Sequence, residues 1–156
     1  MPSPDARITT YAEFWPYYLS EHRSATSRRL HFCGTMGFLV ILTLCIVATP
    51  GPMLAALTLG AVALYAGFKL ESRRSAAPVL LGVIAVHAVA NPWVLCGVLW
   101  AYAFAWYGHF RVERNRPATF VYPLWSLASD FKMVGAMWSG HLWTGDSDGY
   151  ATRRAE

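Results

Sequence analysis

Two long stretches of the chain carry no charge. From Leu30 through Phe68, and again from Ser75 through Phe110, there is no Asp, Glu, Lys or Arg. Each stretch exceeds the roughly 20 apolar residues that cross the hydrocarbon core of a bilayer once. Each also holds one turn signal. Thr49-Pro50-Gly51-Pro52 interrupts the first and Asn91-Pro92 the second, because proline removes a backbone donor and clashes with the preceding turn. The pattern therefore predicts four apolar helices, over about 30–48, 53–69, 77–90 and 93–111. The third is short for a full crossing and implies tilt, re-entry or local thinning of the bilayer.

Two flanking segments follow a different pattern. Thr10-x-x-Glu13 has the form of a capping box ahead of Phe14, Trp15, Tyr17 and Tyr18. Pro16 means that this helix either begins there or kinks. Toward the end, Leu124, Leu127, Phe131, Val134, Trp138 and Leu142 recur at helical spacing. Trp125, Trp138 and Trp143 suit the level of lipid headgroups. From Thr144 the chain loses all apolar period. The expectation is an all-α, multi-span membrane helical bundle. It has about four spans plus N- and C-terminal interfacial helices, one domain over 1–143, and a flexible polar tail over 144–156.

Charge decides the orientation. Arg23, Arg28 and Arg29 precede the first span, Lys69, Arg73 and Arg74 follow the second, and Arg111, Arg114 and Arg116 follow the fourth. The two turns between spans carry no Lys or Arg. Under the positive-inside rule both termini lie in the cytoplasm. Only 14% of the 156 residues are charged while 55% are hydrophobic, too little charge to cover a soluble domain. The net charge of +4 is spread over helix ends and forms no continuous basic stripe, so no nucleic-acid partner is expected; membrane lipids are. Cys33, Cys45 and Cys96 show no metal-ligand spacing and read as small core residues. The polar start MPSPDARITT excludes a cleaved secretory signal.

Five histidines carry the candidate chemistry. His22 and His31 precede or open the first span and His109 closes the fourth, so all three share the cytoplasmic depth. Nine residues on one unbroken helix would put His22 and His31 on opposite faces. They converge only if the chain turns between them, with Thr26 or Ser27 as the next N-cap. His109 and Glu113 are four apart and share a face on a continuing helix. Imidazoles with a carboxylate suit non-haem Fe(II) with open positions, and zinc accepts the same atoms. His87 lies near the opposite face, where a hydrogen bond to a neighbouring helix is expected. His141 is expected at the interface. The arginines read mainly as headgroup contacts, with one available to grip a carboxylate.

YLSEHRSATSRRLHFCGT (residues 18–35) and AWYGHFRVERNRPATF (residues 105–120) resemble the two signature blocks of a membrane family formerly catalogued as a domain of unknown function. That family includes the yeast 2-hydroxy fatty acid dioxygenase of phytosphingosine alpha-oxidation. The shared features are the His22/His31 pair, Gly108-His109, Glu113 and Arg116-Pro117-Ala118; PLWSLASDFKM is also similar. Arg23-Ser24-Ala25 departs from the Asn-Pro turn of many relatives. The resemblance implies an Fe(II)-dependent dioxygenase that shortens 2-hydroxy long-chain fatty acids by one carbon with molecular oxygen. His22, His31 and His109 would be metal ligands. Glu113 would be a ligand or a group orienting one, and Arg116 a contact for the substrate carboxylate. The competing expectation is a non-enzymatic lipid- or partner-binding membrane protein with a structural zinc site on the same histidines.

Overall fold

The computed structural model of the chain describes residues 7–147 and Tyr150. Among them every regular element is helical. The long helices are α1 (Tyr11–Ser20), α2 (Ala25–Ala48), α3 (Pro50–Leu70), α4 (Ala77–Ala90), α5 (Val94–Tyr107) and α6 (Pro123–Trp138). Between α5 and α6 lie a π-turn over Gly108–Glu113 and a short 3₁₀ turn over Ala118–Phe120.

Several boundaries follow from local chemistry. The Thr10 hydroxyl accepts from the Glu13 amide at 3.2 Å and opens α1, which then continues through Pro16. The N-cap of α2 is Ser24, whose side chain accepts from Thr26 N at 3.2 Å, rather than the Thr26 or Ser27 expected. Only Thr49 separates α2 from α3. Pro50 and Pro52 fall in the first turn of α3 instead of before it, where a missing N–H costs nothing.

Of these helices, α2 and α3 are long and apolar enough to cross a membrane, and α4 is a shorter apolar helix. Only 22% of the most apolar window of α2 and of α3 is buried. Leu44, Val47, Leu59, Val62, Val89 and Leu99 point outward and are exposed. The core helix of a soluble protein would hide such residues. The three cysteines divide: Cys45 is buried, but Cys33 and Cys96 are exposed, so the expectation of three core cysteines holds for one.

The most extensive helix contacts are α2 on α5 and α3 on α4. Glycine permits the first. A Cβ on Gly34 would lie 3.1 Å from Ala101 O and from Phe104 Cβ, and one on Gly37 would collide with the Trp100 ring at 2.1 Å. This approach brings the start of α2 beside the end of α5.

α1, α6 and the connecting loops close that end of the bundle as an aromatic cap built on Phe14, Tyr18, Tyr122, Trp125 and Met133. Trp125, expected among headgroups, is 2% exposed inside it. Its indole donates to Phe68 O. Fully buried Glu71 ties the cap to the bundle. Its carboxylate accepts from Ala76 N, at the start of α4, and from Trp125 N, in the first turn of α6. One anion thus serves the orphan donors of two helix N-termini.

Arg28 is the second clasp. Expected among headgroups, it is 0% exposed. Its guanidinium donates to the carbonyls of His22, Arg23, Leu142 and Gly145. Arg29 adds Trp143 O. Of the segment read as a polar tail, residues 144–147 lie against this clasp, with the Ser147 hydroxyl donating to Leu19 O; Tyr150 faces His141, and the other residues of that segment fall outside those described.

Candidate metal centre

His22, His31 and His109 meet beneath the cap. One ring nitrogen of each lies within 4.8 Å of the others, and the rings are 0%, 4% and 3% exposed. Three separate elements deliver them. His22 follows α1, and the Glu21–Ser24 turn folds it back onto α2, as the nine-residue spacing required. His31 sits in the second turn of α2. His109 lies in the π-turn, whose extra residue per turn re-aims side chains that an α-helix would carry past the centre. Arg114 ends that turn in the left-handed region at φ 57°, and Asn115 N donates back to His109 O. Gly108 lets the turn rest on α2, since a Cβ there would lie 3.1 Å from the Ser27 hydroxyl.

The outer nitrogens decide the chemistry. His22 Nδ1 donates to Tyr18 O at 2.6 Å, His31 Nδ1 to Asp130 Oδ1 at 2.7 Å, and His109 Nδ1 to Asn115 Oδ1 at 2.8 Å. A carbonyl and a carboxylate only accept. The Asn115 amide is oriented by its NH₂ group, which donates to Glu21 O and Glu21 Oε2. All three imidazoles are therefore protonated at Nδ1 and turn Nε2 lone pairs toward one another. His22 Nε2 and His31 Nε2 are 3.2 Å apart. Two nitrogens held by one ion at roughly 2.1 Å each would lie about 3.0–3.4 Å apart. Converging lone pairs repel, and a cation between them removes the repulsion. The donor set fits a divalent transition metal, with acceptors behind each ring that fix its tautomer and raise its basicity.

Charge around the trio points the same way. Burial, reinforced by the neighbouring His31 and His109, pushes His22 well below the ordinary histidine range. Its ring stays neutral and available as a donor. Burial, with the Glu113 carboxylate nearby, pushes Glu21 upward.

The other expected site residues lie outside the trio. Glu113 Oε1 accepts from Ser24 N at 2.9 Å. The π-turn breaks the four-residue register with His109, and the carboxylate braces the turn that carries His22. Arg116 is exposed, its guanidinium 5.3 Å from the centre of the Phe120 ring. His141 is exposed. His87 is buried far along α4, and its Nδ1 donates within its own helix to Val83 O at 2.8 Å, not to a neighbouring helix.

Asp130 is the residue the sequence reading missed. It also accepts from the Tyr18 hydroxyl, so one carboxylate joins α1, α2 and α6. A signal existed: Asp130 lies three residues after Leu127 and four before Val134, on the apolar stripe of its helix, and a carboxylate there needs a partner.

Two rings of the trio, His31 and His109, line a cavity of about 270 Å³. His31, His109 and Asp130 form one end of it, and its walls are mostly apolar. His31, Thr35, Phe38 and Leu42 contribute a single stripe of α2. Thr35, Tyr102 and Thr119 supply hydroxyls to the lining.

A family model described as 2-hydroxy-palmitic acid dioxygenase Mpo1-like matches residues 8–142. The chain belongs to the Mpo1-like family. No curated protein and no solved structure matches it. The Mpo1-like match runs from the cap helix α1 through Leu142 and so includes all three histidines, Asp130 and Asn115. The family description implies dioxygenase activity on a 2-hydroxy fatty acid.

Two outcomes follow. Asp130→Asn removes the charge behind His31 and weakens metal affinity about 10- to 100-fold, measured by competition with a chelator, while the circular dichroism of the helices is retained; unchanged affinity would remove Asp130 from the site. The second concerns metal-free protein. In the unfolded chain His22 takes up a proton near pH 6.5, whereas the folded ring does so only at lower pH. The unfolded state therefore binds more protons as pH falls below about 6.5, and stability declines there. The Tm of metal-free protein should drop on acidification, and His22→Gln should flatten that slope. An equal slope in the variant would assign it to another group.

Proposed function

We propose that the protein is an Fe(II)-dependent dioxygenase that shortens 2-hydroxy long-chain fatty acids by one carbon at the membrane interface. The observation that carries this reading is that His31 and His109 of the trio line an apolar cavity. Three imidazole donors leave coordination positions open, and the open side faces space shaped for a hydrocarbon chain. A structural zinc site would instead be closed by a fourth protein ligand. The bound iron would supply a site where oxygen and the substrate's polar end meet.

The chain's own residues do the rest. His22, His31 and His109 hold the ion, while Tyr18, Asp130 and Asn115 hold the rings. The cap of Phe14, Tyr122 and Trp125 excludes water from above. The walls on α2, α4 and α5 take the acyl chain, and Thr35, Tyr102 and Thr119 offer hydroxyls along the way. Glu113 acts indirectly, by fixing the turn at Ser24. Arg116 is exposed and outside the cavity lining, so it would contact a carboxylate only before the substrate is seated. The reaction requires no separate reductant: with the lost carbon leaving as carbon dioxide and with water formed, one molecule of oxygen balances it.

The membrane setting belongs to the same proposal. Four spans (α2, α3, α4 and α5 with its π-turn) place both termini and the trio on the cytoplasmic side, following the arginine distribution. Substrate then enters laterally, with its head at the interface.

The test is oxygen uptake by anaerobically purified, iron-loaded protein given 2-hydroxyhexadecanoic acid. The expected result is substrate-dependent uptake with pentadecanoic acid as product, and loss of both iron and uptake in His31→Ala and His109→Ala. Stoichiometric zinc with no uptake would replace the oxygenase by a structural or hydrolytic site.

A further inference from the structure

The far end of the cavity carries one polar side chain, His87, among apolar ones. α4 runs in the same direction as α2, starting at the capped end, and His87 is the last of its residues to line the cavity. It stands ten residues into α4, about 15 Å from that helix's start. Along α2 the lining runs from His31 to Leu42, eleven residues or about 16 Å. The imidazole fits against Gly60, where a Cβ would lie 2.8 Å from its Cε1.

His87 is 8% exposed. Its Nδ1 donates to Val83 O, so its Nε2 bears the lone pair, and that atom has no hydrogen-bond partner among the described residues. An ionisable side chain at bilayer depth marks a functional contact by default, and this one lines the cavity. An acceptor at the end of an apolar cavity calls for a donor carried in by the ligand.

We infer that the far end of the cavity is a hydrogen-bonding subsite, built on His87, for a lipid whose hydrocarbon chain bears a hydroxyl near its distal end. The inference rests on the reading of the cavity as an acyl site and adds the class of chain it prefers. An extended chain advances about 1.2 Å per bond, so the cavity matches a hydroxyl roughly 13 bonds from a head group at the trio.

The experiment is calorimetric binding of tetradecanoic acid and ω-hydroxytetradecanoic acid to the full chain in nanodiscs, for wild type, His87→Leu and His87→Gln. Binding, rather than turnover, is read. Wild type should favour the hydroxylated acid about five- to tenfold. His87→Leu should bind tetradecanoic acid at least as well and lose the preference, and His87→Gln, which keeps an acceptor, should retain part of it. Equal binding of both acids by wild type, or a preference that survives in His87→Leu, overturns the subsite while leaving the acyl cavity standing. Failure of both acids to bind wild type overturns the acyl reading, and this inference with it.

Discussion

The structure depends on three hydrogen bonds made on the far side of the histidines. Each Nδ1 is committed to an acceptor, and the three acceptors come from α1, from α6 and from the segment after the π-turn. Once those bonds are made, three lone pairs face inward in a buried space. Such an arrangement is costly while empty and favourable around a cation. Binding of a metal by the trio would therefore be coupled to assembly of the cap, since removing any acceptor frees a ring to rotate.

The cap exists to hold those acceptors. Its two buried charges have separate tasks. Glu71 gathers the N-termini of α4 and α6, which fixes the direction of the helix that carries Asp130. Arg28 gathers carbonyls from the His22 turn and from the segment after α6, which holds His22 in the trio. Buried charges are tolerated only when saturated in this way. At the opposite end the helices pack through Cys45, Met53 and Val94. The bundle thus has one polar, ordered end and one apolar end, with the cavity between them.

The elements legible in the sequence were those set by local chemistry. Charge-free runs and Pro-Gly turns placed α2 to α5, and their boundaries moved by only a few residues. The turn between His22 and His31 followed from helical geometry alone. Apart from the meeting of His22, His31 and His109, contacts across long separations leave little trace in the sequence. His31 and Asp130 are 99 residues apart, and the one hint of their contact in the sequence is a carboxylate on an apolar stripe. The π-turn at Gly108–Glu113 leaves no periodic trace, so Glu113 was placed on the face of His109 when it braces Ser24 instead. Arg28 shows why position within a sequence misleads: it is adjacent to Arg29 and beside a span, yet it is sealed from solvent by carbonyls that only the folded chain brings together.

His22, His31 and His109 should bind one metal ion through Nε2 and leave positions open. X-ray absorption at the metal edge of anaerobically purified protein measures this directly. The expected spectrum shows one metal per chain with three imidazole nitrogens at about 2.1 Å and additional light-atom scatterers from exchangeable ligands. Those scatterers should change when a 2-hydroxy fatty acid is added. A spectrum showing sulfur ligation, or a fourth imidazole and no response to the acid, would contradict this binding mode.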